Sequence, residues 1–478
     1  MDASELAGRL GVWSTDDGPL YRLLAAAIEQ LIELGALRDG TRLPPERSLA
    51  GALSVSRGTV VAAYDELRSA GRVDRVQGSG TTVRSEPERF DPINHTRFGD
   101  ALRDKPPTSI DLLMAVPRVL PRVVELLGDI DWAAHTSSLD DAEPAGIHPL
   151  RARIADRMTA DGLATRPEEV LVTAGAQQGI DLVAQVLIRP GDAVLVEEVT
   201  WPGLSDTVRR LGGKPHGVTL DEDGLIPEAL EAACDRLRPS VIGLNPHHQN
   251  PTGTRMPPHR RRRIAQIAAD YGVTVIEDRV TSWLAFDGVI PPPLAVHQPT
   301  APHVTIDSIN KTAWPGFRLG WVRADAALIS ELRGARAATD LFTAIPSQLA
   351  ALRVLDELDD IAAERARQLE DAATVLLTGL AERLPDWEVQ APKGGLVLWV
   401  RLPGVSATAF AQFANRYGVA VGTGREFSSS TIDDEHVRLP FTGPIPELRE
   451  AVDRLAAAWA AFADADADRT ATAPAAIV

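Results

Sequence analysis

The sequence predicts an α/β protein in two parts: a small, mostly helical module with a β-hairpin, then a larger unit on a mainly parallel sheet. Three observations carry this expectation. The chain has 478 residues, more than one hydrophobic core ordinarily organises, so at least two domains are expected. Up to residue 84, apolar positions recur at helical spacing and end in a short hairpin pattern. From about residue 110, short unbroken apolar runs alternate with helical stretches, as strands covered on both faces require.

The elements follow in order. Leu20, Leu23, Leu24, Ile28, Leu31, Ile32 and Leu34 place one helix within residues 18–36. Leu43-Pro44-Pro45-Glu46-Arg47 opens a second over 45–53, since proline is tolerated in a first turn. Ser54-Val55-Ser56 is a short turn, Ser56 caps a third helix running to about Ala70, and Gly71 ends it. Residues 73–83, broken by Gln77-Gly78-Ser79-Gly80, read as a two-stranded hairpin, completing a module over 1–84. Pro87, Pro92, Pro106 and Pro107 among charges make 85–110 a semi-extended linker. Buried strands are expected at 170–173, 193–196, 241–244, 273–277 and 304–306. Beyond 345 come a long helix over about 346–384, a strand at 395–401, a helix at 406–417 and a last helix at 445–463. These make a small C-terminal α+β subdomain of a unit spanning 111–463. The Ala- and Asp-rich tail, 464–478, is expected to be frayed and disordered.

Composition narrows the setting. Hydrophobic content of 44% and charged content of 24% fit a globular protein. Residues 1–14 carry Asp2 and Glu5 without an apolar run, so no signal peptide is expected. No stretch approaches the roughly 20 apolar residues of a membrane helix. The single cysteine, Cys234, excludes an intramolecular disulfide framework and suits a reducing compartment. A cytoplasmic protein is expected. The net charge of −17 argues against a chain-wide nucleic-acid surface. Locally the balance reverses: Arg42, Arg47, Arg57, Arg68, Arg72, Arg75 and Arg84 outnumber Glu46, Asp65, Glu66 and Asp74.

Two short helices, a tight turn and a hairpin make a winged helix-turn-helix. In such a module the N-terminal side chains of the second helix reach base edges in the major groove. Here those are Ser56, Arg57 and Thr59, and Arg57 can donate two bonds to a guanine. Arg47 can grip a phosphate or a base, and the small tip around Gly78 can lie against the sugar-phosphate backbone. The segment resembles the GntR-type DNA-binding domain through Leu43-Pro-Pro-Glu-Arg-Ser-Leu-Ala50, Val55-Ser-Arg-Gly-Thr-Val60 and Gln77-Gly-Ser-Gly-Thr-Thr-Val83. The partner this implies is a double-stranded DNA operator.

In the larger unit, Ser308-Ile-Asn-Lys-Thr-Ala-Trp-Pro-Gly-Phe-Arg-Leu-Gly320 puts Lys311 between a serine and an arginine. Pyridoxal 5'-phosphate requires an amine, a carboxylate near the ring nitrogen, anion donors and a flat group against the ring. Lys311 is the amine, able to form a Schiff base. Asp278 ends the strand at 273–277, where ligands bind in open α/β sheets. Ser308 and Arg318 suit the phosphate. Ala176 and Gln177 open a helix after the strand at 170–173, so their backbone amides can face the phosphate too. Trp201 is the expected stacking residue, and Asn250, in Gln249-Asn-Pro-Thr-Gly253, can donate to the phenolic oxygen.

The joint order of these motifs resembles fold-type I aminotransferases over about residues 110–460, and with the GntR-type module ahead of it the chain resembles the MocR subfamily of regulators. The resemblance implies a head-to-tail homodimer and a response to pyridoxal phosphate or an amino compound. Arg438 matches the family's late arginine, which pairs a ligand carboxylate. Two tyrosines of the family pattern have no counterpart: Val280 follows the ring aspartate by two residues, and Leu139-Asp-Asp-Ala-Glu-Pro-Ala-Gly146 contains none. Both departures weaken cofactor grip or catalysis, so a sensor is favoured over an efficient transaminase. The alternatives are a working aminotransferase with an appended module, and a repressor whose large domain is only a dimerisation scaffold. His259-Arg-Arg-Arg-Arg263 reads as a solvated helix face. His247 and His248 lack companions at metal-ligand spacing, so no metal is expected.

Overall fold

A computed structural model describes residues 1–14, 18–33, 36–37, 40–76, 80–84, 109–128, 130, 143–429 and 433–471. The expected linker up to 108, the hairpin tip with Gly78 and the end of the tail lie outside these residues.

The N-terminal module holds α1 (Ala3–Leu10), α2 (Leu20–Glu33), α3 (Glu46–Ala52), α4 (Arg57–Ser69) and the hairpin β1 (Val73–Val76) and β2 (Gly80–Val83). Sequence periodicity misses α1, which is only two turns long. Asp2 caps it, accepting from Glu5 N, and Leu6, Ala7 and Leu10 are buried. They join Leu24, Ile28, Leu49, Val60 and Leu67 in one core. Buried Tyr64 on α4 donates to Pro44 O at 2.9 Å, pinning the proline entry of α3 to α4.

The larger part begins with β3 (Ile110–Leu112), α5 (Pro121–Gly128), α6 (His148–Ala160), β4 (Val170–Thr173), α7 (Ala176–Leu187) and β5 (Ala193–Glu197). It continues with α8 (Gly203–Arg210), β6 (Lys214–Val218), the small hairpin β7 (Leu220–Asp221) and β8 (Gly224–Leu225), α9 (Pro227–Leu237) and β9 (Val241–Leu244). Next come α10 (Pro258–Tyr271), β10 (Thr274–Asp278), β11 (His303–Ser308), β12 (Gly320–Arg323), α11 (Ala326–Ala337), α12 (Ile345–Asp356) and α13 (Leu358–Arg383). The subdomain adds β13 (Glu388–Val389), β14 (Val397–Arg401), α14 (Ala407–Ala414), β15 (Val419–Thr423), α15 (Gly424–Phe427), β16 (His436–Pro440) and α16 (Ile445–Ala471).

The large sheet has the order β4-β12-β11-β10-β9-β5-β6. Its strands are parallel except β12, which is antiparallel to β11 and β4. β12 was not expected from the sequence, because four residues inside a loop-like motif show no period. Its reversal brings the start of β12 to the edge where β4 and β11 end, pairing Gly320 with Thr173 and Ser308. A Cβ at Gly320 would lie 2.6 Å from Asp307 O and 2.9 Å from Ala176 N, so only glycine lets the three strands meet.

The second sheet runs β13-β14-β16-β15-β3. β3 arrives from the far end of the chain and pairs in parallel with β15. The long helix expected over 346–384 is two helices broken at Glu357. The break turns α13 so that Leu358 and Ile361 pack in the large-domain core while Leu369, Leu376 and Leu380 pack in the small one. The last helix extends to Ala471, past its expected end at 463.

Candidate functional site

The carboxyl ends of the parallel strands converge on one cavity of about 270 Å³. Lys311, Asp278, Asn250, Ser308, Arg318, Trp201, Ala176, Gln177 and Arg438 all line it, although they span 263 positions of sequence from 176 to 438.

Lys311 follows β11 in a loop fastened by its neighbours. Ser308 Oγ donates to Leu319 O at 2.7 Å and accepts from Asn310 N at 3.1 Å. Asn310 Oδ1 accepts from Leu319 N at 3.1 Å, closing the loop onto β12. Ser308 is 2% exposed, so its hydroxyl serves this loop while its side chain lines the cavity. Lys311 Nζ donates to Ala115 O at 2.8 Å. Burial, helped by the charge of Arg438, lowers its pKa to about 8, with Asp278 opposing. An amine in that range has a neutral fraction of roughly 9% at pH 7, far above that of an ordinary lysine, and this fraction can act as a nucleophile.

Asp278 ends β10, and its Oδ1 accepts from Val280 N at 3.0 Å. Burial raises its pKa to about 6, against the opposing Val280 hydrogen bond and the Lys311 charge. Gly175 precedes α7 with φ +94°. A Cβ there would stand 3.0 Å from Asn310 Nδ2 and 3.4 Å from Arg318 Nη2. The bare glycine, the first amides of α7, Asn310 and Arg318 thus form a cradle of donors suited to an anion. The sequence reading overlooked Asn310; its place one residue before the lysine was the available signal.

Arg438 stands on β16 and is 1% exposed, so a surface ion pair is ruled out. Its Nη1 donates to Asn250 Oδ1 at 3.2 Å, its Nη2 donates to Leu113 O, and its guanidinium lies 4.5 Å from the Phe427 ring centroid. Burial lowers its pKa to about 10, with Glu426 and Asp111 opposing. Asn250 therefore uses its oxygen on Arg438 and keeps its amide nitrogen for another acceptor. The loop carrying Asn250 is organised by buried Glu197, which accepts from Asn245 N, Gln249 Nε2 and Thr200 Oγ1. Burial pushes Glu197 up to about 8. Met114, Val116, Leu396 and Val397 add apolar wall. They escaped the sequence reading because β3 and the loop before β14 carry no recognisable motif.

His247 Nε2 lies 3.1 Å from Glu277, and His303 Nε2 lies 3.0 Å from the same buried carboxylate. The basic run at 259–263 is not a uniform solvated face. Arg261 is buried and donates to Pro246 O at 2.6 Å and Met256 O at 3.0 Å, while Arg263 pairs with Glu231 at 2.6 Å.

In the N-terminal module Arg47 and Arg57 are exposed. Ser56 Oγ accepts from Thr59 N at 3.1 Å and lies 2.9 Å from Thr59 Oγ1, so this hydroxyl caps α4 and aims its first turn.

Comparison with known proteins shows the family. Residues 119–455 match the family described as aminotransferase class I and II, and residues 20–83 match the bacterial regulatory proteins of the gntR family. The pyridoxine biosynthesis transcriptional regulator PdxR of Corynebacterium glutamicum is 31% identical over 65% of this chain and 68% of its own length. The HTH-type transcriptional regulator YdfD of Bacillus subtilis is 24% identical over 88% of this chain and 92% of its own. The crystal structure of LysN, the α-aminoadipate aminotransferase of Thermus thermophilus, in complex with N-(5'-phosphopyridoxyl)-L-leucine, superposes with a TM-score of 0.70. It is 27% identical, covering 75% of this chain and 94% of that one. The chain belongs to the aminotransferase class I and II family and, with its gntR-type module ahead of that domain, to the MocR-type regulators.

Proposed function

We propose that this chain is a transcription regulator that binds pyridoxal 5'-phosphate at Lys311 and reads the cofactor, or an amino compound reacting with it, as its signal. The convergence of Lys311, Asp278, the Gly175 cradle and buried Arg438 on one cavity carries the reading. When bound, the cofactor supplies an aldehyde that condenses with amines and a ring that takes up charge. Every other part belongs to the chain. Asp278 holds a negative charge toward the ring nitrogen. Arg318, Asn310 and the amides of Ala176 and Gln177 hold the phosphate, and Trp201 covers the ring. The Asn250 amide nitrogen donates to the phenolic oxygen. Arg438 fixes the carboxylate of the amino compound, with its side chain against Met114, Val116, Leu396 and Val397.

Sensing is favoured over turnover by Val280, which lines the cavity and carries no hydroxyl. DNA is read by Arg57 and Arg47, with Thr59 and Ser56 beside them and the hairpin around Gly78 on the backbone. A head-to-tail homodimer presents two such modules to an operator. No helix among the described residues is long and apolar enough to cross a membrane, and the cytoplasm is the proposed location.

The test is a spectrum of purified protein mixed with pyridoxal phosphate. A visible-edge band lost in Lys311→Ala supports the reading; identical spectra refute it. Vigorous amine-to-keto-acid exchange would make the chain an aminotransferase instead.

A further inference from the structure

The small subdomain closes the helix ends of the DNA-reading module. The final carbonyls of an α-helix have no intrahelical donor. At the end of α1, Gln412 Nε2 on α14 donates to Ala7 O at 3.2 Å and to Gly11 O at 2.8 Å. At the end of α3, Arg416 Nη2 donates to Leu53 O at 2.9 Å. Ser54, held at φ +52°, donates through Oγ to Ala409 O at 3.2 Å. Arg425 lies 3.6 Å from Asp2. Gln412 and Ser54 are buried, so this is a built seat rather than a glancing contact. It engages α1 and α3 and leaves Arg47 and Arg57 exposed.

The seat is wired to the ligand cavity. A hollow of about 40 Å³ between α1 and the subdomain is lined by Gly8, Gly11, Val12, Leu113, Gln412 and Glu426, among others. Leu113 is the residue whose carbonyl accepts from Arg438, and two residues on, Ala115 O accepts from Lys311 Nζ. Just before, β3 pairs with β15, and Ile110 N donates to Gly418 O at 2.9 Å. One segment, 110–116, therefore lines the hollow beside the seat through Leu113 and is held through its carbonyls by Arg438 and Lys311.

We propose that the seat of the DNA-reading module on α14 is an interaction surface whose firmness is set by the ligand state of Lys311 and Arg438, through segment 110–116. This rests on the cofactor reading above. Condensation of Lys311 with an aldehyde forms a carbon–nitrogen double bond, and both amine hydrogens leave with the aldehyde oxygen as water. The nitrogen is then committed to the ligand and no longer serves Ala115 O. A carboxylate at Arg438 outcompetes the neutral Leu113 carbonyl, because hydrogen bonds between charged partners are the stronger. Buried carbonyls stripped of their donors are costly. The segment shifts, and Leu113 carries the shift to α1.

Hydrogen–deuterium exchange on the full chain, with and without pyridoxal phosphate and with the visible spectrum recorded on the same samples, tests this. Loading is expected to speed exchange several-fold in α1 and in residues 110–116. In Gln412→Ala, α1 is expected to exchange fast without pyridoxal phosphate and to gain nothing from it, with the visible band as in wild type. A wild-type band accompanied by unchanged or slower exchange in α1 overturns the coupling while leaving the cofactor reading intact. Absence of the band in wild type overturns the cofactor reading and the coupling with it.

Discussion

The lowered pKa of Lys311 sets a measurable pH profile for capture of an aldehyde. Only the neutral amine attacks. With a pKa of about 8, roughly 9% of Lys311 is neutral at pH 7 and roughly 90% at pH 9, a gain of about tenfold followed by a plateau. A solvated lysine near 10.5 would gain about a hundredfold over the same interval and still be climbing at pH 10. Stopped-flow absorbance after mixing protein with pyridoxal phosphate, divided at each pH by the rate constant of neutral N-acetyl-lysine (its observed rate over its own neutral fraction), removes the titration of the aldehyde itself. After correction for the N-acetyl-lysine profile, the rate should level off near pH 8. The charges that set the value move it in opposite directions. Arg438→Met removes a repelling cation and shifts the plateau to higher pH. Asp278→Asn removes an attracting anion and shifts it lower. A corrected profile that rises with unit slope through pH 10 would refute the argument, since Lys311 would then titrate as an ordinary exposed amine.

Other predictions concern fold and DNA. Gly320→Ala forces a Cβ against Asp307 O and Ala176 N, and overpacking of this kind costs about 1–3 kcal/mol; an unchanged urea midpoint would contradict it. Ser56→Ala removes the cap of α4 and should lower thermal stability by about 1 kcal/mol, whether or not DNA is present. Arg57→Ala should leave stability alone and weaken binding to the native operator by about 1–3 kcal/mol. Equal operator affinity for Arg57→Ala and wild type would remove Arg57 from the reading surface.

The parts legible in the sequence are those with a short-range physical cause. The helices of the module follow from apolar spacing and from the Ser56 cap. The central strands follow from unbroken apolar runs that only a doubly covered sheet produces. Lys311, Asp278, Asn250, Trp201 and Arg438 could be picked out because each sits in a compact motif.

Tertiary structure decided what those motifs face. The antiparallel entry of β12, the break at Glu357 and the joining of β3 to β15 are settled by packing among distant segments, which no local window contains. The same holds for Asn310, whose part in the cradle depends on Gly175 approaching from β4. It holds for Leu113 and Ala115, ordinary apolar residues whose backbone carbonyls meet Arg438 and Lys311 only after the chain has closed on itself. Side-chain type is written locally. The partner of a carbonyl is chosen by the fold, because hydrogen bonding in a buried site is satisfied by whatever the sheets bring within reach.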